Sequence, residues 1–379
     1  MTAPLEGLKV LDLSRILAGP FAGQTLADLG ATVIKVEAPG GDDTRSWGPP
    51  FIERDGDRSA AYFYAANRGK RSVVADFGAP EDLAFVRSLA TQADVILENF
   101  KVGGLVKFGL DYPALAPLNP GLVYCSITGF GQDGPYAERA GYDYLIQGMS
   151  GLMSITGAPD GEPQRVGVAV TDLFSGLYSV IGILAALRER DRTGRGQHLD
   201  ISLLDSATAI LANQAMNYFA SGTAPGRVGN IHPNIVPYQV FPVADGEVII
   251  AAGNDAQYRR LCGVLRRPDL AETPAYATNS DRVDRRDELV PLLAQATREW
   301  ARDDLLAALD AVKVPAGPIN SIGQVLDDEQ IKARGMHIRP DGVDGLRSPF
   351  RFSESTLETA RTAPGLDQHG DAIRDKGFG

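Results

Sequence analysis

The stretch LKVLDLSRILAGPFAGQTLADLGATVIKVEA (residues 8–38) decides the fold, because its pattern of hydrophobic residues changes twice. LKVLDLS (8–14) and ATVIKVEA (31–38) are short, rich in β-branched residues and bounded by Gly, Pro or polar residues, which is typical of β-strands. GPFAGQTLADLG (19–30), between them, has a helical pattern. A strand, a helix and a second strand in this order predict a parallel βαβ unit.

The same alternation continues over roughly the first 200 residues. Further strand-like segments are SVVADF (72–77), DVILENF (94–100) and GLVYCSITGF (121–130), and PEDLAFVRSLATQA (80–93) has helical spacing. We therefore expect an α/β fold with a parallel sheet.

The pattern changes in the second half of the chain. LDISLLDSATAILANQAMNYFASG (199–222) reads as one long helix that ends at Gly222, and a domain boundary is predicted there. YQVFPVADGEVIIAAG (238–253) predicts a hairpin with Asp245-Gly246 in its turn, and helical segments follow. From about residue 330, short strand-like pieces alternate with Pro and Gly.

Composition excludes several classes of function. A formal net charge of −11 disfavours binding to nucleic acid or to an anionic membrane, since both are polyanions. The two cysteines and four scattered histidines show no metal-ligand spacing, so no metal site is expected. The apolar run 173–187 is shorter than a membrane span and predicts a buried helix. The N-terminal segment has no secretory pattern, which favours the cytoplasm.

One carboxylate stands at the start of that apolar run, in GVAVTDLFSGLYSVIGILAAL (167–187). By spacing alone, Asp172 is most simply a helix cap that accepts a backbone N–H of the first turn. The same position would also hold a carboxylate rigidly among small residues that leave room for a substrate, where it can act as a nucleophile toward an activated acyl group. Both interpretations stay open at this point.

Three loops offer weaker signals. NRGKRS (67–72) is either a phosphate cradle or a solvated loop with surface cations, and its basic residues are Arg68, Lys70 and Arg71. GGDDTRSWGPPF (40–51) offers Arg45 and Trp47 either to a ligand or to an ordinary surface turn. GFGQDG (129–134) follows a strand, but no phosphate-binding helix pattern follows it, so a tight turn is the better interpretation.

Taken together, these strings resemble one family. LDLSRILAGPFAGQTLADLGATVIKVEAPGGDDTR, NRGKRS, ENF, ITGFGQDGP, AGYDY, TDLFSG, TGRGQHLDISLLD and PYQVFPVADG occur in the order found in class III CoA-transferases, the CaiB/BaiF family. The resemblance covers nearly the whole chain. It implies a Rossmann-like large domain, an inserted small α+β domain and an interlocked homodimer. It also implies coenzyme A as co-substrate, with no tightly bound cofactor.

On this basis we predict four segments. They are a large CoA-binding domain at 1–200, a linker helix at 201–224, a small α+β domain at 225–325, and a C-terminal segment at 326–379 that returns to the large domain.

The resemblance also implies a mechanism. The residue matching Asp172 attacks an acyl-CoA thioester to give a mixed anhydride, and the CoA thiolate then returns to give an aspartyl-CoA thioester. Asp143, with Tyr142 before it, matches residues beside the active centre. The residues implied to contact CoA are Arg15, Ala18, Val36, Ala38, Arg68, Lys70, Arg71, Asn99, Phe100 and Lys107.

Within the family, the closest resemblance is to the succinyl-CoA:glutarate (succinate–hydroxymethylglutarate) branch. Tyr142 stands where the α-methylacyl-CoA racemase branch has a histidine base, and Leu17 and Ala38 differ from the formyl-CoA:oxalate branch. A dicarboxylate needs a cation for its distal carboxylate, and the candidates are Arg45, Arg139 and Arg165. The alternatives are a racemase-type epimerase and a non-catalytic CoA-binding protein.

Overall fold

The computed structural model describes residues 2–379, so Met1, the first residue of the predicted large domain, lies outside the described residues. The strands are β1 Lys9–Asp12, β2 Thr32–Glu37, β3 Phe51–Arg54, β4 Asp57–Ala60, β5 Arg71–Val74, β6 Val95–Glu98, β7 Val123–Thr128, β8 His198–Ser202, β9 Tyr238–Val243, β10 Gly246–Ala251, β11 Ala316–Pro318, β12 His337–Ile338 and β13 Gly345–Leu346.

The α-helices are α1 Ala18–Asp28, α2 Ala61–Tyr64, α3 Pro80–Gln92, α4 Tyr112–Leu115, α5 Asp143–Met149, α6 Val170–Thr193, α7 Leu203–Ala209, α8 Ala212–Ser221, α9 Asp255–Val264, α10 Pro268–Glu272, α11 Asn279–Asp284, α12 Arg286–Thr297, α13 Arg302–Ala311, α14 Ile322–Asp327, α15 Glu329–Ala333 and α16 Gly370–Lys376. The chain divides into two units. The first comprises residues 2–152, 165–223 and 329–379, and the second comprises 153–164 and 224–328.

A six-stranded parallel sheet is the centre of the first unit. Its strand order is β5-β2-β1-β6-β7-β8, in which the chain moves outward from β1 to one edge and then restarts at β6. This is the order of a doubly wound, Rossmann-like sheet. Five of its strands coincide with the strands predicted from sequence, so the α/β prediction is confirmed.

Each strand of this sheet sends alternate side chains to opposite faces. Val10 and Val33 pack into one buried cluster with α1 and α6, whereas Leu11 and Ile34 pack into a second cluster with α3. Because helices cover both faces, the strands are apolar on both sides, which explains why they read as continuous hydrophobic runs.

The predicted helix at 199–222 is wrong in its first part. Residues 198–202 form β8, which pairs with β7 and extends the sheet, and two shorter helices, α7 and α8, follow. Residues 153–164, predicted within the large domain, are grouped with the second unit. The hairpin β3–β4 was not predicted.

Helix α6 differs from the prediction for the apolar run. It has 24 residues, and by length and composition alone it could cross a membrane, with a mean hydropathy of 1.7 over its most apolar 18 residues. One face is buried and packs against α1, where Ser175 and Ser179 donate hydrogen bonds to the carbonyls of the preceding turn. The other face, which includes Ile181, is exposed in the single chain, so α6 is not the fully buried helix that was expected.

The second unit has its own sheet and core. Strands β9 and β10 form the predicted antiparallel hairpin, and β11 pairs with β10 to complete a three-stranded sheet. Helices α9, α12 and α13 supply leucines that pack with Phe241 and Val248 of the hairpin. This arrangement agrees with the predicted α+β character.

Candidate active site

The strand order predicts where a ligand binds in the first unit. Strands β1 and β6 are neighbours, but their connections leave in opposite directions, so a crevice forms at the carboxyl ends of these two strands. Two cavities are lined by the segments that follow them. The Phe77 cavity has a volume of about 300 Å³ and the Asp172 cavity about 410 Å³. Both are lined by Arg15 and Phe100, so they adjoin at these residues.

The junction between the cavities is fixed by a reciprocal pair of hydrogen bonds. The backbone N–H of Arg15 donates to Oδ1 of Asn99 at 2.8 Å, and Nδ2 of Asn99 donates to the carbonyl of Arg15 at 2.7 Å. The next residue, Ile16, has a φ of 70°, which is rare for a β-branched residue. Its N–H points to the carboxylate of Asp42, 3.3 Å away. The loop after β1 is therefore held in a strained conformation at the entrance to α1.

Asp172 lies in the first turn of α6 and lines the Asp172 cavity. Within residues 2–379 its carboxylate accepts no hydrogen bond, and the N-cap of α6 is Ala169, so the interpretation of Asp172 as a helix cap is wrong. Burial, and secondarily the charge of Asp143, raise the pKa of Asp172 to about 7. The carboxylate is partly exposed to the cavity but poorly solvated, and no cation of the described residues pairs with it.

Asp143 supplies the cap that the sequence suggested for Asp172. Its Oδ1 accepts hydrogen bonds from the N–H and the hydroxyl of Thr171, both at 2.8 Å, and its Oδ2 accepts one from Gln147 at 2.7 Å. Gln147 in turn accepts the N–H of Val166 at 2.9 Å, which ties the segment before α6 to α5. Asp143 therefore orients the helix turn that carries Asp172 and leaves the second carboxylate free.

Glycines allow the backbones to approach closely around this turn. A Cβ on Gly176 would lie 2.7 Å from the carbonyl oxygen of Ala18, so only glycine lets α6 cross α1 at this distance. A Cβ on Gly129 would lie 2.6 Å from Cα of Gly141, where two loops that line the Asp172 cavity touch. These contacts place Asp172 next to the loop after β1.

Six of the residues predicted to contact CoA line the two cavities. They are Arg15, Ala18, Val36, Ala38, Asn99 and Phe100. Tyr142, predicted beside the active centre, also lines the Asp172 cavity and is largely exposed. The segments after β1, β2 and β6 thus meet at one edge of the sheet.

The predicted phosphate cradle is wrong for the side chains of Arg68 and Lys70. Lys70 is buried and donates to Asp12 at 2.7 Å, and Arg68 is buried in an ion pair with Asp28. Both cations are paired within the protein, where they join β1, α1 and the loop before β5, because a charge buried this deeply requires a partner. Neither side chain is therefore available to a phosphate.

Three further predicted cations also lie away from the cavity walls. Arg45 is buried, pairs with Glu37 at 2.8 Å and donates to Ser59, so it cannot serve as the cation for a distal carboxylate. Arg71 begins β5 and Lys107 lies over the ring of Phe108, but neither lines the Phe77 cavity or the Asp172 cavity.

Sequence reasoning missed Phe77 and Phe108, which line the Phe77 cavity beside the predicted Phe100. The ring of Phe77 stacks on Phe100 with centroids 6.3 Å apart and contacts Phe108 edge-on at 5.4 Å. Tyr62 was also missed: it lines neither cavity but contacts Trp47 edge-on at 5.3 Å, and burial, followed by the charge of Asp172, raises its pKa. The only sequence signal was that such residues follow strands or stand in Gly/Pro-rich loops.

Comparisons with known proteins agree with this geometry. The model of CoA-transferase family III matches residues 5–370. Succinate–glutarate CoA-transferase of Agrobacterium fabrum is 55% identical over 97% of this chain and 94% of its own length, and succinyl-CoA:glutarate CoA-transferase of Mus musculus is 43% identical over 97% and 84%. The crystal structure of a CaiB/BaiF family protein from Brucella suis has a TM-score of 0.91 and 59% identity, covering 99% of this chain and 100% of that one.

The chain thus combines a Rossmann-like sheet with an unpaired carboxylate at the ligand crevice. Together with the comparisons, this defines a transferase that acts on thioesters. The chain belongs to CoA-transferase family III. It is a class III CoA-transferase, and coenzyme A is its co-substrate.

Proposed function

We propose that this enzyme transfers CoA from succinyl-CoA to a short dicarboxylic acid such as glutarate, with Asp172 as the covalent nucleophile. The observation that carries the proposal is the carboxylate of Asp172, which lines a cavity and accepts no hydrogen bond from the described chain. The two relatives above are named for CoA transfer between succinate or succinyl-CoA and glutarate, which supports the choice of acids.

The environment of Asp172 suits nucleophilic attack. A carboxylate with a pKa of about 7 is more basic than an ordinary one, yet a large fraction is ionised at neutral pH. Burial and the charge of Asp143 disfavour the anion, but neither penalises an uncharged anhydride or thioester at the same atom. The site therefore raises the free energy of the free carboxylate relative to its acylated forms.

The proposed reaction passes through a mixed anhydride, an aspartyl-CoA thioester and a second mixed anhydride. An oxygen of Asp172 bonds to the succinyl carbonyl carbon and the C–S bond breaks, which gives a mixed anhydride and CoA thiolate. The thiolate attacks the carbonyl carbon of Asp172 and releases succinate, leaving an aspartyl-CoA thioester. The acceptor carboxylate then attacks this thioester and releases the thiolate, and the thiolate attacks the acceptor's acyl carbon to regenerate the Asp172 carboxylate.

The two adjoining cavities supply a path for coenzyme A. We place its adenine in the Phe77 cavity, where aromatic rings offer stacking surfaces, and its thioester in the Asp172 cavity. Arg15 and Phe100, which line both, then contact the chain between the two ends.

A panel of acceptor acids tests the function. With succinyl-CoA as donor, we expect glutarate to yield glutaryl-CoA and free succinate, read by mass spectrometry. Exchange of the α-hydrogen of a 2-methylacyl-CoA with solvent deuterium in the absence of an acceptor would instead indicate the epimerase. Tight CoA binding without transfer to any acid would indicate a binding protein.

We further propose that the enzyme is an interlocked homodimer. The exposed face of α6 is apolar over three turns, and a patch of this kind on a helix is typical of a protein interface. Its residues are Phe174, Leu177, Tyr178, Ile181 and Leu184. On α8, Met216 and Phe219 are also largely exposed. A second copy that covers these surfaces would remove them from water.

Light scattering tests the dimer. We expect twice the 40.4 kDa of one chain for the wild type and a shift toward the single-chain mass for Ile181→Glu, since Ile181 is 62% exposed and the change costs little within one chain. Asp191→Asn, at the exposed end of the same helix, is the matched control. A monomeric wild type, or one whose mass depends on detergent or lipid, would contradict the proposal.

A further inference from the structure

We propose that Arg139 binds the distal carboxylate of the dicarboxylate substrates and thereby sets the preference for dicarboxylates over monocarboxylates. This assignment rests on the proposed function, because it concerns the acids that react at Asp172.

Arg139 lies on the wall of the Asp172 cavity, in the segment that also contributes Ala137, Gly141 and Tyr142. Its guanidinium carbon is 4.5 Å from the ring centroid of Tyr136 and 5.2 Å from that of Phe130. Both distances lie within the range of cation–π attraction, which favours a position of the guanidinium beside these two rings.

The N–H donors of Arg139 have no acceptor within residues 2–379. The guanidinium of Arg139 makes no ion pair and no side-chain hydrogen bond there, although the chain carries 48 acidic residues against 37 Lys and Arg. A planar fork of unpaired donors matches a carboxylate in a bidentate geometry. The distal carboxylate of succinyl-CoA also enters the site while Asp172 is ionised, so a cation at that end of the acyl group offsets the repulsion between the two carboxylates.

The other cations are less suited to this role. Arg15 pairs with Asp43 at 3.2 Å and lies at the junction with the Phe77 cavity. Lys101 follows Phe100 and so lies on that same side, where the phosphates of CoA pass in the proposed binding mode. Arg165 lies 5.8 Å from the ring centroid of Tyr144 and does not line the cavity. Of these cations, Arg139 is the one that lines the Asp172 cavity in the same segment as Tyr142.

The backbone fixes the position of Arg139 relative to the nucleophile. Its N–H donates to the carbonyl of Tyr136 at 2.9 Å, which closes a turn. Two residues later, Gly141 touches Gly129, and two residues after that Asp143 caps the helix that carries Asp172. One short segment therefore connects the cation to the cap of the catalytic helix.

The test compares glutarate with valerate, which has the same number of carbons but lacks the second carboxylate. We expect the ratio of kcat/KM for glutarate to kcat/KM for valerate to fall by about 100-fold in Arg139→Met. The reason is that the enzyme distinguishes the two acids by the bond between Arg139 and the distal carboxylate, and methionine cannot form that bond. Arg139→Lys should retain part of the ratio, since it keeps the charge but loses the fork. Free CoA should bind both variants within about twofold of wild type by calorimetry.

The matched control is Arg58→Met, because Arg58 is also an exposed arginine stacked on an aromatic ring, 3.7 Å from the centroid of Phe51, but lies outside both cavities. Its ratio should equal that of wild type. An equal loss for both acids, or weaker CoA binding, would overturn the assignment by showing a role in CoA binding or folding. A wild type that transfers CoA to neither acid would overturn the proposed function itself, and the assignment with it.

Discussion

Asp172→Asn is expected to lower CoA transfer by about 10³-fold or more, because an amide oxygen is a poor nucleophile and the amide cannot form the anhydride. The substitution keeps the size of the side chain and removes no hydrogen bond from within residues 2–379, so folding should be unchanged. The rate of glutaryl-CoA formation from succinyl-CoA measures the effect. Peptide mass mapping after treatment with succinyl-CoA and hydroxylamine should show a modified Asp172 peptide in the wild type only.

Asp191→Asn on the same helix again serves as the control and should retain full activity. In the wild type, formation of the enzyme-bound intermediate in a single turnover should decline about tenfold per pH unit below pH 7, since attack requires the anion and the pKa of Asp172 is about 7. Above that pH the rate should level off. A rate that stays constant from pH 5 to 8 would contradict the raised pKa of Asp172, whereas an Asp172→Asn variant with normal transfer would exclude this residue as the nucleophile.

Local sequence was enough to predict the strands of the large sheet. Val10, Val33, Val95 and Val123 stand in short β-branched runs of the kind found in parallel strands that are buried on both faces. β8 was missed because His198–Ser202 leads directly into the helical pattern of α7, with no Gly or Pro between strand and helix to mark the change. Only pairing with β7 distinguishes the two states.

The candidate site was predicted as far as contacts between neighbours in sequence allow. Asp172 could not be separated from a helix cap, because the acid that caps its turn, Asp143, lies 28 residues before Thr171, whose N–H it accepts. Arg68 was equally ambiguous, since its partner Asp28 lies 40 residues away. A charged side chain can bind a ligand only if no distant residue of the chain already pairs with it. The spacing of residues in the sequence does not show such long-range pairs.

Lys70→Met is expected to lower the melting temperature by on the order of 10 °C, because breaking a buried ion pair costs about 3–5 kcal/mol and each kcal/mol lowers the midpoint by a few degrees in a domain of this size. Nζ of Lys70 donates to Asp12 at 2.7 Å and to Asn67 at 2.8 Å, and the side chains of Lys70 and Asp12 are fully buried. Burial lowers the pKa of Lys70 to about 8. Burial alone would raise the pKa of Asp12, but the charges of Lys70 and Lys35 lower it.

The double variant Asp12→Asn/Lys70→Met should recover at least half of the lost stability. It removes the uncompensated charge, while the remaining side-chain oxygen can still accept the N–H of Ser14 and the new amide can donate to Asn67. Calorimetric scans of the three proteins measure this, with free-CoA affinity determined in parallel. A phosphate cradle would give the opposite pattern: an unchanged melting temperature in Lys70→Met and a loss of CoA affinity that persists in the double variant. The side chain of Lys70 is enclosed by protein on all sides, so we expect its contribution to binding to be indirect, through the strand ends that carry Arg15 and Val36.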